Sequence, residues 1–292
     1  METWAVIVLN WNGAVRTTRC ADAVNLAASR CAKIRYKKLF VDNGSTPDDA
    51  AILGSYAERN ADWRILRVTA NLGFAKGMNV GVLHPDQSNV DKFVLLNNDV
   101  EVDPDFFCAL SSHFYANPDQ AITGVTIFEE ATSSLQCYGG YTYNNWLGYA
   151  RPNQDPQLVP DYISGAVMVV KGAFLRRIRG IPTDNFLYFE ELNLKRHMAV
   201  GETQGVCLEA KSTHIGGWTV ANVPKAPNPH YYAALACFRY SAATNPKYLP
   251  TVIAARLTGL LIRSLWSRDF TALSGAWRAV LDFFTSSKQH KR

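Results

Sequence analysis

The 292-residue sequence lacks several features that would place it in a simple class. Its six cysteines are scattered, with no CxxC pair and no metal-finger spacing, so a zinc finger is excluded and a reducing cytoplasm is expected. No basic segment precedes the first apolar run, and no stretch approaches about 18 uncharged apolar residues. We therefore expect neither a signal peptide nor a membrane-spanning helix.

Charge is also sparse. Charged residues make up 19% of the chain and hydrophobic residues 48%, a balance that excludes wholly disordered, collagen-like and coiled-coil proteins. The net charge of +5 is uneven, because residues 246–292 carry eight basic and two acidic side chains, which leaves the remainder nearly neutral. A neutral body lacks the broad basic face that nucleic acids require, so no nucleic-acid partner is expected.

Short apolar runs alternate with helical stretches in the first hundred residues. The runs at 5–9, 39–41, 64–68 and 93–96 predict buried strands, and the pattern at 17–29 predicts a helix. This alternation is typical of βαβ units and predicts an α/β fold with a mainly parallel sheet flanked by helices. Another buried strand is expected at 164–170. Helical apolar spacing predicts a helical segment after Pro229.

All four predicted strands end in polar or glycine-rich turns. Open α/β sheets bind ligands outside the carboxyl ends of their strands, so the turns predict one shared site. Loops of this fold are polar in any case, which keeps ordinary turn chemistry as the alternative. The four turns are Asn10-Trp11-Asn12-Gly13, Asp42-Asn43-Gly44-Ser45, the loop from Asn71 to Asn79, and Asn97-Asn98-Asp99.

Two aspartates at strand ends are candidate ligand contacts. Asp99 could hold a hard divalent cation that neutralises a diphosphate, although Asn and Asp are also the commonest turn residues. Asp42 could accept a hydrogen bond from a ligand N–H, but on local grounds a turn aspartate bonded to its own backbone explains it better. The loop from Asn71 to Asn79 could cradle a phosphate, yet it lacks the P-loop pattern, which argues against ATP hydrolysis.

Two further positions could carry chemistry. Glu190 and Glu191 are adjacent carboxylates among apolar residues, an arrangement that suits a general base or, alternatively, the start of a solvated helix. His214 could be a ligand, although a lone histidine is more often structural.

Taken in order, these motifs resemble the family 2 glycosyltransferases, most closely their rhamnosyltransferase-like branch. The resemblance runs from about Trp4 to Gly217 and rests on five motifs in the same order. The motifs are 6–13, 41–46, 71–79, 95–100 and the acidic block 186–196 followed by His214.

The resemblance implies a GT-A fold, Rossmann-like, and inverting transfer of a sugar from a nucleoside diphosphate sugar to a hydroxyl. Glu191 takes the position of the general base, with Glu190 beside it, while Asp99 and His214 match the family's Mn²⁺ or Mg²⁺ site. L-rhamnose from dTDP-rhamnose is the expected donor, and a saccharide or lipid-linked saccharide of surface polysaccharide synthesis is the expected acceptor. The implied donor-binding residues are Asn10, Asp42, Asn43, Ser45, Gly73, Phe74, Lys76, Gly77, Asn79, Asn97, Asn98 and Arg196.

The sequence departs from the family pattern in two places. The usual Glu-Asp-x-Asp-Leu motif reads Glu190-Glu191-Leu192-Asn193-Leu194, and the extra methylene of Glu191 shifts a base by about an ångström. Asn97-Asn98-Asp99 supplies one carboxylate where other branches have two or three. These departures keep open a degenerate, binding-only transferase. A nucleotidyltransferase is disfavoured, because no glycine- and arginine-rich loop follows the first strand.

The expected organisation is a GT-A domain at 1–228 and a basic amphipathic helical segment at 229–292. Within the first domain, 1–105 would bind the nucleotide sugar and 106–228 the acceptor. The C-terminal segment contains aromatic residues interleaved with arginines, so it either closes the acceptor side or lies on an anionic membrane surface. We expect a cytoplasmic protein, peripheral on the cytoplasmic face of the inner membrane.

Overall fold

The computed structural model describes residues 1–216 and 228–289. Three parts of the chain lie outside the described residues: Gly217, which ends the family resemblance, residues 218–227 near the end of the expected first domain, and the last three residues of the basic tail. The strands are β1 Glu2–Asn10, β2 Ile34–Asn43, β3 Trp63–Val68, β4 Lys92–Asn97, β5 Val100–Val102, β6 Gln120–Glu129, β7 Leu135–Tyr138, β8 Gly140–Asn144, β9 Tyr149–Pro152, β10 Tyr162–Ile163, β11 Val167–Lys171 and β12 Thr203–His214. The helices are α1 Ala14–Arg30, α2 Pro47–Arg59, α3 Phe74–Val82, α4 Phe106–Ala116, α5 Gly172–Ile178, α6 Glu190–Lys195, α7 Pro229–Thr244, α8 Leu249–Ser267 and α9 Thr271–Gln289.

A nine-stranded sheet is the centre of the fold. Its strand order is β3-β2-β1-β4-β11-β6-β12-β5, with β7 paired to β6. The first four strands are parallel, as the βαβ pattern predicts, and the predicted α/β class is confirmed. In the second half the sheet is mixed, because β11 is antiparallel to both β4 and β6. A separate antiparallel sheet, β10-β8-β9, stands beside it.

Strand β1 is buried on both faces, and this fixes the two layers of helices. Val6 and Val8 contribute to one apolar cluster, whereas Ala5 and Ile7 contribute to the other. Alternate residues of a strand point to opposite faces of the sheet, so an apolar run without alternation needs a helical layer on each side. Helix α1 packs in the first cluster and α3 in the second.

The C-terminal part is helical, as predicted, and has its own small core. Helices α7, α8 and α9 enclose a cluster that includes Phe238, Val252 and Ala276. One helix among the described residues, Pro246–Ser267, is long and apolar enough to cross a membrane by length and composition alone. The expectation that no helix spans a bilayer stays a prediction. The expectation asked for an uninterrupted apolar run, whereas average hydropathy tolerates Arg256 and Arg263.

The packing of β2 against β3 predicts a strong stability effect. Phe40 is fully buried and its ring stacks on Trp63 at a centroid distance of 4.2 Å. Replacing a buried Phe with Ala leaves a cavity, so Phe40→Ala should lower the free energy of unfolding by about 3–5 kcal/mol, measured by urea denaturation. Tyr115→Ala is the matched control, because that side chain is 93% exposed. Equal losses in the two variants would contradict this packing.

Candidate functional site

A cleft of about 610 Å³ opens at the carboxyl ends of the parallel strands. This volume is within the range of small-molecule sites. Residues from all four predicted turns line it, so the structure brings the four strand ends together as expected. The predicted site residues among its lining are Asn43, Gly73, Phe74, Asn97, Asn98, Asp99, Glu190, Glu191 and His214.

Asp99 and His214 are adjacent in the cleft because of one strand pairing. β5 runs antiparallel to β12, and this register places His214 opposite Val100. Asp99 directly precedes β5, so its carboxylate faces the imidazole, with His214 Nε2 3.3 Å from Asp99 Oδ1. The loop after β12 is tied to the same point, since the Ile215 N–H donates to the Asp99 carbonyl.

The carboxylate oxygen of Asp99 and the imidazole nitrogen of His214 are ligand atoms that suit a divalent cation. His214 Nδ1 pairs with Gln136 Oε1 at 3.1 Å, and when Nδ1 donates there, Nε2 presents a lone pair towards Asp99. Asp99 Oδ1 is buried and makes no hydrogen bond in the structure. No group of three or more His, Cys, Asp or Glu side chains with metal-site geometry occurs among the described residues. A cation held here would need further oxygen ligands, which a diphosphate and water can supply.

Glu190 and Glu191 begin helix α6 and both line the cleft. Burial raises the pKa of Glu191 to about 7, although its own N–H and that of Gly165 favour the carboxylate. Burial, followed by repulsion from Glu191, raises the pKa of Glu190 well above its ordinary value. Glu190 is 2% exposed, and its Oε1 has no hydrogen-bond partner. The arrangement gives the cleft one carboxyl group that titrates near neutral pH.

The turn before α6 carries conformational strain that aims these carboxylates. Tyr188 and Phe189 have φ values of 72° and 68°, a left-handed conformation that is uncommon for residues other than glycine. The Asn185 side chain donates to the Tyr188 carbonyl at 3.1 Å and so supports the turn. Two consecutive residues of this kind reverse the chain so that α6 starts at the cleft.

Gly165 is shaped by its contact with Glu191. A Cβ at position 165 would collide with Glu191 Oε1, and the N–H of Gly165 donates to the same carboxylate. No sequence pattern marks this role, because Gly165 lies in a strand-like apolar run well before the acidic block. Only the folded chain brings the loop before β11 against α6.

Asn43 holds the loop that follows β3. Its Nδ2 donates to Asn71 Oδ1 at 3.0 Å and to the Gly73 carbonyl at 3.2 Å, while its Oδ1 accepts from the Leu72 N–H. Gly73 has a φ of 83°, and a Cβ there would collide with the Phe186 carbonyl. The neighbouring Phe74 N–H donates to that carbonyl at 2.9 Å. The loop is thereby fixed between β2 and the segment before α6.

Three residues that were predicted to contact the nucleotide-sugar donor form a largely buried network beside the cleft. Asn10 is fully buried and donates to Ser45 Oγ at 3.0 Å and to Asp49 at 2.8 Å, while Thr17 donates to its Oδ1. Asp42 is 3% exposed and accepts from the Ser45 N–H. Its carboxylate lies 3.7 Å from the Arg67 Nε. In this arrangement Asn10, Asp42 and Ser45 brace the ends of β1 and β2 and do not line the cleft.

The remaining predicted residues lie further from the cleft. Asn79 exchanges two hydrogen bonds of 2.8 Å with the backbone of Ile181 and so ties α3 to the chain after α5. Gly77 is buried where a Cβ would crowd Leu9 and Asn43. Lys76 is exposed in the first turn of α3, and Arg196 is exposed at the end of α6. The structure thus gives Asn79 and Gly77 packing functions. Asn98, which does line the cleft, donates to the Gly13 carbonyl at 3.3 Å.

The other wall of the cleft was missed by sequence reasoning. The small sheet and the segments around it contribute tyrosines, of which Tyr141 and Tyr162 stack at a centroid distance of 5.4 Å. Arg256 enters from α8, and it is the only Lys or Arg among the described residues of the lining. Its guanidinium donates to the Gly148 carbonyl at 3.3 Å, and its Nε has no partner in the structure. The tyrosines of the lining are Tyr141, Tyr143, Tyr149, Tyr162 and Tyr188.

The family model described as glycosyl transferase family 2 matches residues 5–177, more than half of the chain. The chain therefore belongs to glycosyl transferase family 2. The match covers β1 to α5 and ends before the acidic residues of α6. A comparison with curated proteins gives no match.

Solved structures share the fold at low sequence identity. A mannosyltransferase from Pyrobaculum calidifontis, in complex with GDP-Man and Mn²⁺, is 16% identical with a TM-score of 0.56, over 96% of this chain and 86% of that chain. S. aureus TarS 1–349 is 10% identical with a TM-score of 0.56, over 98% and 92%. GalNAc-T7 with UDP, GalNAc and Mn²⁺ is 13% identical with a TM-score of 0.62, over 84% of this chain and 51% of that chain. These likenesses confirm the GT-A fold.

The contact between Gly165 and Glu191 generates a prediction about the carboxylate. Gly165→Ala should displace Glu191 and weaken its backbone hydrogen bond, so sugar transfer should fall by about tenfold or more while the fold survives. Transfer rate and circular dichroism measure the two effects. Gly259→Ala is the matched control, since a Cβ there meets nothing within 4 Å. An unchanged transfer rate in Gly165→Ala would contradict the inference that Gly165 positions the Glu191 carboxylate.

The raised pKa of Glu191 also predicts a pH-dependent stability. The folded chain holds this carboxyl at a pKa of about 7, above its ordinary 4.5, so its ionisation opposes folding and stability falls as the pH rises between these values. Glu191→Gln cannot ionise and should therefore have a higher Tm than the wild type at about pH 8. The difference should vanish below about pH 4.5. Glu58→Gln, at an exposed site, should show no such trend.

Proposed function

We propose that the protein is an inverting, metal-dependent glycosyltransferase that moves a sugar from a nucleoside diphosphate sugar to an acceptor hydroxyl. The observation that carries the proposal is the position of two groups in one cleft. The Asp99–His214 pair and the Glu190–Glu191 pair both line the space at the strand ends, where α/β folds bind nucleotides. The first pair suits a cation and the second pair suits a base.

The leaving diphosphate explains the cation site. As the bond between the sugar C1 and the diphosphate oxygen breaks, negative charge develops on that oxygen. A divalent cation held by Asp99 and His214 would neutralise this charge, and Mn²⁺ or Mg²⁺ suits a carboxylate–imidazole pair completed by phosphate oxygens. The solved structures with Mn²⁺ and a nucleotide or nucleotide sugar support the choice.

Glu191 would act as the general base. Its carboxylate takes the proton of the acceptor hydroxyl while the hydroxyl oxygen forms a bond to C1 and the diphosphate leaves from the opposite side. A single displacement inverts C1 and needs no nucleophile from the protein. The pKa of about 7 gives Glu191 a substantial carboxylate fraction at neutral pH. Burial and the neighbouring Glu191 raise the pKa of Glu190 well above its ordinary value, which disfavours a second negative charge beside the base.

The choice of donor sugar rests on the resemblance to one branch of the family. L-rhamnose from a dTDP donor is the preferred choice, because the four early motifs resemble the rhamnosyltransferase-like branch. The mannosyltransferase structure holds GDP-Man and the GalNAc-T7 structure holds UDP, so a UDP- or GDP-sugar is the main alternative. For the acceptor we propose a saccharide, since the tyrosine-rich wall offers flat apolar faces against which sugar rings stack. Bacterial-type surface polysaccharide synthesis would use such an acceptor.

A binding-only transferase is the second candidate. This candidate is favoured because Asn193 replaces the family's second aspartate. Asn193 is a residue of α6 and is 6% exposed. The loss of this charge and the longer Glu191 side chain could reduce catalysis without removing nucleotide binding.

Release of nucleoside diphosphate from a panel of dTDP-, UDP- and GDP-sugars, with Mn²⁺, Mg²⁺ or EDTA, tests the proposal. We expect release from one donor, abolished by EDTA and rising with pH to a plateau above about pH 7 as Glu191 ionises. Glu191→Gln should lower the rate by about 10²-fold or more and remove this pH dependence, and Asp99→Asn should weaken the metal response. Glu58→Gln is the control at an exposed site.

The outcomes separate the candidates. The binding-only transferase is favoured if no donor releases nucleoside diphosphate, even after simple glycoside acceptors are added, while calorimetry still shows binding of a nucleoside diphosphate. If no donor is cleaved and no nucleotide binds, both candidates are contradicted. Release that persists in EDTA would contradict the metal dependence, and wild-type activity in Glu191→Gln would contradict the base.

A further inference from the structure

The C-terminal half of α8, the turn after it and helix α9 expose large apolar side chains. The exposed fraction reaches 91% for Trp266 and 55% for Trp277, values that are unusual for tryptophan on a soluble surface. The α8 residues recur at one-turn spacing, so they share one side of that helix. We name this surface the hairpin patch: Leu261, Ile262, Leu265 and Trp266 of α8, Phe270 between the helices, and Trp277 and Leu281 of α9.

Basic side chains accompany the hairpin patch. Arg263, Arg268 and Arg278 are exposed within it or next to it. Of the two acidic residues in this region, Asp282 accepts a hydrogen bond of 2.7 Å from the Tyr231 hydroxyl and lies 3.8 Å from Arg278. Asp269 is exposed in the turn between the helices. The surface thus combines tryptophans with a net positive charge.

Helix α8 is long and apolar enough to cross a membrane. Its packing against the rest of the protein argues against such a span. Val252 is fully buried, and Ile253, Leu257 and Leu260 pack against the C-terminal core. Arg256, on the same helix, is bonded to the Gly148 carbonyl at the cleft. Residues 261–267, of which Ser264 is also buried, amount to about 10 Å of helix, against a hydrocarbon thickness of about 30 Å.

We propose that the hairpin patch docks on the surface of an anionic lipid bilayer, with the two helices lying at the interface. Tryptophan, leucine and isoleucine would enter the boundary between headgroups and acyl chains, and the arginines would contact anionic headgroups. This combination of an apolar face with flanking arginines matches a lipid surface better than a neutral protein face.

Docking would also place the cleft near the lipid. Helix α8 exposes Trp266 at one end and supplies Arg256 to the cleft nearer its other end, so the patch and the cleft share one rigid element. An acceptor anchored in the bilayer would then reach the tyrosine-rich wall without leaving the membrane. This last step rests on the proposed function, whereas lipid binding itself does not.

Cosedimentation with vesicles tests the docking. The full chain, without a donor, is mixed with phosphatidylcholine vesicles that contain or lack phosphatidylglycerol, at low and at high salt. We expect binding that requires the anionic lipid and weakens with salt. Absence of binding to phosphatidylglycerol vesicles at low salt would overturn the proposal.

Paired variants separate the apolar and the charged contributions. Trp266→Ala with Trp277→Ala should weaken vesicle binding by about tenfold or more, whereas Tyr115→Ala, an equally exposed aromatic on α4, should not. Arg263→Gln with Arg268→Gln should reduce the preference for anionic lipid, with the exposed Arg35→Gln as its control. Circular dichroism and nucleotide binding confirm that each variant is folded.

The alternative occupant is a second copy of the chain. If the tryptophan variant binds vesicles normally but changes from dimer to monomer by light scattering, the hairpin patch is a protein interface and the proposal is wrong. Vesicle binding is measured without a sugar donor, so its result does not depend on whether the protein transfers sugar. Conversely, an active enzyme that ignores vesicles would overturn the docking alone.

Discussion

The pairing of β5 with β12 is the constraint on which the candidate site depends. Three residues of β5 place Asp99 beside His214, two side chains that are far apart in sequence, and they do so at the edge where the parallel strands end. β12 is in turn held by a long parallel pairing with β6. A short edge strand thus inherits its position from the central sheet, and the geometry of the Asp99–His214 pair depends on that sheet.

The sequence predicted what depends on local pattern. Strand β1, the helix after it and the polar ends of β2 and β4 are visible because apolar periodicity and turn chemistry are local properties. The pattern also located Glu190, Glu191, Asp99 and His214, which all line the cleft. That agreement in position leaves their chemical roles to experiment.

The sequence could not predict what depends on long-range contact. Gln136 contacts His214, Gly165 contacts Glu191, and Arg256 reaches the cleft from a helix beyond the family match. No periodicity marks these residues, because each acquires its position only when distant segments pack. Asn10 shows the converse: its motif position suggested a ligand contact, and folding surrounds its side chain with Thr17, Ser45 and Asp49.

Burial raises the pKa of Glu191 to about 7, and two backbone N–H groups oppose that rise. Ionising both would place two like charges next to each other in a poorly solvated space, which costs more than ionising one. Glu191 receives backbone N–H groups from its own residue and from Gly165, whereas Glu190 receives only that of its own residue and its Oε1 has no partner. The first negative charge therefore settles on Glu191, and that charge raises the pKa of Glu190 further. The extra methylene that departs from the family motif is thus accommodated at Gly165, the position where the absence of a side chain leaves room for it.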